Sequence, residues 1–278
     1  IAAVKLNTEP GYPFMYRLRS NAAQSIAQVL GQIAKEIEDV EAYQPDIKNY
    51  PGLLKGHIPA MGELLLGHLR YGTQGKNEVN YCHPFIKKNT IPARNLTLAG
   101  NFNLVNTEEL FDLLNINPGE FQKQSDLAAM MEVIHHFLVK ADEDDPGNIN
   151  ISAVLKKAVA MFDGGFHVGG LVGNGDCFVL RDAHGIRPSY YYINDEIVVA
   201  ASERVAIRTA FNVAENEVLE LMPGCALIVK ADGSCTVEQI VPALERKACS
   251  FERIYFSRGN DESIYKERNA LGYNLSPI

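Results

Sequence analysis

Residues 164–229 form an unbroken series of apolar, strand-like runs, and this block constrains the fold more than any other feature. The run from Gly164 to Val172 and the run around Phe178, Val179 and Leu180 flank a short turn. Tyr190, Tyr191 and Tyr192 follow, and then a further strand from Ile197 to Ser202, with Glu203 opening a helix. Pro223-Gly224 and Asp232-Gly233 are turn signals between such runs. Short connections of this kind join strands antiparallel, because a parallel return needs a long crossover. Helical patterns precede the block at residues 108–114, 128–140 and 151–160. Further upstream, residues 22–63 are helix-rich but interrupted near Tyr43 and Tyr50, with Ile26, Leu30, Ile33 and Ile37 at near-helical spacing. Strands in one block with helices before them predict an α+β domain: antiparallel sheets covered by helices.

Size and charge narrow the function classes. The 278 residues, 46% hydrophobic, suffice for one large domain or two small ones. No apolar run approaches the roughly 20 residues of a membrane span, and no basic-apolar leader opens the chain. The net charge of −8 disfavours a nucleic-acid surface. Five scattered cysteines (Cys82, Cys177, Cys225, Cys235 and Cys249) have neither disulfide nor zinc spacing, which favours the cytoplasm. The acidic run Asp142, Glu143, Asp144, Asp145 before Pro146-Gly147 reads as an exposed loop. His135 and His136 are adjacent on a helical pattern, so their side chains diverge by about 100° and cannot easily share a metal.

Four segments carry chemistry. Leu64, Leu65 and Leu66 lead Arg70 and Thr73 into a loop bounded by Gly67, Gly72 and Gly75. A guanidinium there is suited to a two-point grip on a carboxylate. A buried strand from Leu96 runs into Gly100, Asn101, Phe102 and Asn103, which read as a turn before a helix starting at Thr107. An asparagine amide at such a strand end can donate to a developing oxyanion. Ser125-Asp126 opens the helical run that follows. Arg181-Asp182 precedes the corner Gly185, Ile186, Arg187, Pro188. Taken singly, a strand end, an Asx turn and a helix N-cap account for the first three.

In this order and spacing the segments resemble the glutaminase domain of class II glutamine amidotransferases, most closely the amidophosphoribosyltransferase branch. That family carries Gly-His-x-Arg-Tyr-x-Thr-x-Gly, Gln-Pro-Phe, His-Asn-Gly-Asn-Leu, a Ser-Asp pair and Arg-Asp-x-x-Gly-Ile-Arg-Pro. It ends the domain on Tyr-Phe-Ala-Arg, where this chain has Tyr255, Phe256, Ser257 and Arg258. The resemblance spans residues 1–258 and leaves 259–278 as a linker or the start of a following domain, with 22–63 as a helical insertion. It implies the N-terminal-nucleophile hydrolase fold, an αββα sandwich of two mostly antiparallel sheets between helical layers. It implies Arg70 for the substrate α-carboxylate, Thr73 in the same pocket wall, and Asp126 for the ammonium. Asn101 and the backbone N–H of Phe102 would form the oxyanion hole.

The resemblance also implies an N-terminal cysteine that attacks glutamine, its own amino group serving as base. Ile1 aligns with the second strand of the family, so the nucleophile would lie upstream of it, or this member has lost activity. Phe102 stands where the family has glycine, Gly100 where it has histidine, and His83 where it has glutamine. The implied function is release of ammonia to a C-terminal phosphoribosyltransferase domain in purine biosynthesis, within a homo-oligomer. No cofactor is expected in these residues, and magnesium would belong to the transferase domain. Pro188 followed by Ser189, Tyr190 and Tyr191 leaves an asparagine-synthetase-like glutaminase open. The missing cysteine leaves open an inactive regulatory or assembly module.

Overall fold

The computed structural model describes residues 1–9, 11–70, 78–117, 119 and 125–276. Its centre is a six-stranded, wholly antiparallel sheet. In chain order the strands are β4 (Phe85–Lys87), β5 (Leu96–Leu104), β6 (Gly164–Val172), β7 (Cys177–Arg181), β11 (Cys225–Val229) and β12 (Cys235–Gln239). They lie side by side as β12-β11-β7-β6-β5-β4. Alternation along β5 decides its two faces. Leu96, Leu98 and Leu104 enter the main core with Leu127, Met130, Ile134 and Leu138 of α4 (Asp126–Asp144) and Val154 and Leu155 of α5 (Ile151–Val159). Leu110 and Phe111 of α3 (Thr107–Leu113) complete that helical layer.

The opposite face is covered by two three-stranded sheets. One joins β1 (Ala2–Val4), β2 (Met15–Arg17) and β3 (Leu64–Leu66), with β1 central. The other joins β8 (Tyr190–Ile193), β9 (Val198–Ala201) and β10 (Leu219–Glu220). Tyr191, Val198 and Ala200 pack with Val179, Cys225 and Leu227 across the sandwich. β3 lies against β6 where Gly169 leaves room: a Cβ there would stand 3.2 Å from Cδ1 of Leu66. Outside these sheets, α6 (Arg204–Phe211) packs on β8 and β9. The 19-residue α1 (Ser25–Tyr43) approaches β2 through a Tyr16–Glu36 hydrogen bond of 3.4 Å. The molecule is therefore an αββα sandwich, as the resemblance implies. No helix among the described residues is long and apolar enough to cross a membrane.

Three expectations change. The turn expected at residues 100–103 is regular strand: β5 continues through Leu104, paired residue for residue with β6. Nine consecutive backbone pairings outweigh the turn preference of two asparagines, and the chain turns only after Leu104. The acidic run is only partly the exposed loop expected: Glu143, Asp144 and Asp145 are exposed, but Asp142 to Asp144 still belong to α4 and Asp142 departs from the rest. Asp142 closes α4 and is buried, its Oδ2 accepting from Arg94 Nε at 2.7 Å. That hydrogen bond holds its carboxyl below the usual range. The apolar stripe of α1 is also displaced. Ile26 and Leu30 are exposed, whereas Val29, Ile37 and Val40 face inward. The cause is local: α1 packs on Ile47, Leu54 and Ile58 at its C-terminal end. The interruptions expected near Tyr43 and Tyr50 are present: α1 ends at Tyr43, and Pro51 opens a separate helix, α2 (Pro51–His57), consistent with its preset φ and dispensable N–H at the first helical position.

Candidate active site

The second half of β5 is the axis around which the expected site residues gather. Backbone N–H groups alternate between the two edges of a strand. Val105 donates to Asp163 O at 2.9 Å, which puts the odd-numbered N–H groups of β5 on the β6 side. Those of Gly100, Phe102 and Leu104 point to the other edge, beyond the point where β4 ends its pairing at Leu98. Gly100 N–H meets Nδ1 of His83 at 3.5 Å, and Leu104 N–H meets Oδ2 of Asp126 at 2.9 Å. The Phe102 N–H lies between these two on the same edge, where no strand pairs with it among the described residues. Phe102 has ordinary strand geometry, because among described non-glycine residues only Asn7, Asn115 and Asn212 have positive φ. The phenylalanine in the glycine position therefore carries no backbone strain.

Asp126 is held at the start of α4 beside the end of β5. Ser125 is the N-cap and accepts from Ala128 N–H at 3.4 Å, which frees the Asp126 carboxylate to bind the strand. Burial raises the Asp126 pKa, and the Leu104 N–H opposes that rise. Arg70 follows β3, its guanidinium carbon 5.9 Å from the Tyr81 ring centre, within reach of a cation–π contact. Its charge reaches two imidazoles. Burial first, and Arg70 among the weaker causes, lower His68 to about 4 and His83 well below its ordinary value. The His68 and His83 rings lie 4.3 Å apart, and His83 stacks on Phe102 at 5.5 Å. Thus Arg70, His68, His83 and Phe102 form one cluster on the β5 edge, with Asp126 at the strand's end. No ion pair joins Arg70 to Asp126 among the described interactions. Thr73 lies outside the described residues.

Asn101 points to the face opposite Leu98 and Leu104, into the sandwich, directly across from His167. His167 is itself lowered to about 4 by burial, with Arg181 and His68 adding to the effect. The Asn101 Nδ2 donates to Oε1 of Glu252 at 2.6 Å, and Arg187 Nη1 donates to the same oxygen at 2.7 Å. Glu252 is buried and begins the π-helical turn Glu252–Phe256, which carries Tyr255 and Phe256 of the final motif. A cavity of about 60 Å³ lies beside Glu252, walled by Tyr190, Glu203, Arg204, Phe256 and Arg258. Neither Arg70 nor Asp126 lines it.

Sequence reasoning assigned no role to Glu252, Arg187, His68 or His83. Arg187 was visible inside a motif, and Glu252 stands three residues before another. Nothing in the linear order says that they meet. The corner between them is self-supporting: Arg181 donates to the carbonyls of Arg187 (2.7 Å), Gly185 (3.0 Å) and Leu221, and to Glu220 (2.8 Å). The Asp182 carboxylate accepts from the N–H groups of His184 and Ile186 at 2.9 and 3.0 Å. The Arg-Asp pair is thus spent on the loop itself and presents Arg187 inward. All five cysteines are free thiols, and burial pushes Cys177 up to about 12, far from the range of a nucleophile.

Residues 83–209 match the model of a glutamine amidotransferase domain. The chain is 31% identical over 220 residues to amidophosphoribosyltransferase 1, chloroplastic, of Arabidopsis thaliana, covering 77% of this chain and 36% of that protein. It is 29% identical over 223 residues to the amidophosphoribosyltransferase of Archaeoglobus fulgidus, covering 77% and 45%. Among solved structures it resembles the glutamine phosphoribosylpyrophosphate amidotransferase of B. subtilis complexed with ADP and GMP. That match has a TM-score of 0.53 and 26% identity, over 69% of this chain and 38% of that one. The chain spans less than half the length of these relatives.

Proposed function

We propose, for a chain that carries a class II glutamine amidotransferase domain in an αββα sandwich, that it binds glutamine along β5 and hydrolyses it to glutamate and ammonia. In this reading a cysteine N-terminal to Ile1 attacks the side-chain amide and passes its proton to its own amino group. The tetrahedral oxyanion is stabilised by Asn101 and by the Phe102 N–H. Ammonia leaves, a thioester remains, and water releases glutamate. Arg70 takes the α-carboxylate, Asp126 the α-ammonium, and Thr73 the adjoining wall. A fixed cation and a fixed anion select a zwitterion by charge complementarity. The observation that carries the reading is the β5 edge facing away from β6, with the Phe102 N–H between Gly100 and Leu104 and the Asp126 carboxylate at its end.

The ammonia would serve a phosphoribosyltransferase domain following residue 258, in purine biosynthesis. Relatives named amidophosphoribosyltransferase support this branch over an asparagine-synthetase-like glutaminase. The described part of the 259–278 segment supports a connecting role: α7 (Glu262–Leu275) is capped by Asp261 and buries only Ile264. Five free thiols support a reducing compartment such as the cytoplasm, and a homo-oligomer follows from the same family reading.

Titration calorimetry tests the pocket directly. L-glutamine should bind, and glutaramate, which lacks the α-ammonium, should not. Arg70→Ala should weaken glutamine by about 2–5 kcal/mol, at least about thirtyfold in Kd. An unchanged Kd in that variant removes Arg70 from the site.

A further inference from the structure

We infer that Glu252 is a positioning residue for Asn101, selecting which end of that side chain meets the reacting carbonyl; this rests on the glutaminase reading above. An asparagine amide presents an NH₂ donor at one end and an oxygen acceptor at the other, and a half-turn about its last bond exchanges them. Only the NH₂ end stabilises an oxyanion. Glu252 Oε1 takes Asn101 Nδ2 at 2.6 Å and Arg187 Nη1 at 2.7 Å. An oxygen already accepting from two donors offers nothing to an amide carbonyl. A flipped Asn101 would set oxygen against carboxylate oxygen at that same short distance. One Asn101 N–H is therefore used to fix the group, and the second is left for the substrate.

Both ends of the brace are anchored by backbone. Arg187 projects from the corner that Arg181 and Asp182 hold rigid. The segment leading to Glu252 is laid along that same corner: Leu244, Lys247 and Cys249 donate their N–H groups to the carbonyls of Ala183, His184 and Ile186 at 2.9, 3.0 and 3.0 Å. The Arg181–Arg187 corner and the turn carrying Tyr255 and Phe256 thus act as one support for a strand residue 151 positions away in sequence. They also tie Asn101 to the stretch that leads out of the sandwich into α7.

The test uses the full-length, cysteine-bearing protein with E252M, E252Q, N101A and the double variant N101A/E252M. E252M removes the acceptor at similar size, and kcat for glutamine hydrolysis should fall at least about tenfold with KM within about twofold. E252Q keeps one acceptor oxygen and should restore most of that loss. N101A/E252M should be no worse than N101A alone, because Glu252 acts only through Asn101. If E252M does not fold, R187M/E252M removes both charges together and should show the same loss. In the chain itself, ¹⁵N spectra should show one Asn101 side-chain proton shifted downfield and slow to exchange, and this signature should vanish in E252M. Parent-like turnover in E252M, a loss that adds to that of N101A, or no such proton in the parent overturns the inference. Parent-like hydrolysis by N101A overturns the proposed site instead.

Discussion

Asp126, proposed to bind the substrate ammonium, sits at odds with folding. It is the first residue of α4, half buried, and its carboxylate accepts from Leu104 N–H. Burial still wins, so its pKa is raised. The sign follows from proton counting. An acid with a raised folded pKa holds more protons folded than unfolded between the two values, so stability falls as pH rises through that window. At pH 7 the charge is therefore a net burden on the fold. Asp126→Asn keeps an oxygen for Leu104 and drops the charge. Its Tm at pH 7 should equal or exceed the parent's, while glutamine binding weakens at least about tenfold through loss of the ammonium partner. A variant that is less stable by several degrees and binds glutamine normally would refute both halves. Locally, Ser125-Asp126 reads only as a helix N-cap; Asp126 became a candidate through the family resemblance. Its bond to a strand 22 residues back was legible in neither.

At the scale of elements, β5 decides where the site lies. Gly100 has no positive φ, so it is not glycine for conformational reasons. A Cβ there would stand 2.3 Å from the backbone oxygen of His167 and 3.0 Å from the Phe102 ring. The neighbour is backbone in a paired strand and cannot rotate away. Gly100→Ala should therefore destabilise the protein by about 1–3 kcal/mol, read as a lower urea midpoint with unchanged slope. A midpoint equal to the parent's would mean that β5 and β6 can part at no cost. Histidine is absent from position 100, and an imidazole reaches Gly100 N–H from position 83 on the neighbouring segment. Asparagines near a helix start read locally as a turn, but strand pairing is a non-local interaction and overrides them.

For the molecule as a whole, His68, His83 and His167 sit around β5 and β6, all lowered chiefly by burial. A base with a lowered folded pKa binds more protons unfolded than folded between the two values, so stability rises with pH across that window and is lost on acidification from about 6.5 towards 4. By pH 5 His68 and His167 should each contribute about 1–2 kcal/mol of that loss, and His83 acts in the same direction. Urea midpoints at pH 6.5 and 5 should fall accordingly, and His68→Gln should flatten the drop. This interval lies above the range where carboxyls with lowered pKa, such as Glu220 and Asp142, lose their contribution. A flat profile would mean that the three rings are hydrated.

The sequence by itself determined the fold class. Apolar strand-like runs in residues 164–229 and helical spacing ahead of them are local properties, and burying one face of each element leaves antiparallel sheets covered by helices; the order of the layers came from the family resemblance. It also supplied the candidates, Arg70, Asn101 and Asp126, through the order and spacing of the motifs that resemble the family. Only the tertiary structure decided that residues 100–103 extend a strand, that the Phe102 N–H faces the edge away from β6, and that Glu252 meets Asn101 and Arg187. Those facts depend on contacts between segments far apart in the chain. Local preference is worth tenths of a kcal/mol per residue, whereas a paired strand and a buried charged hydrogen bond are each worth more, so the long-range contacts win where the two disagree.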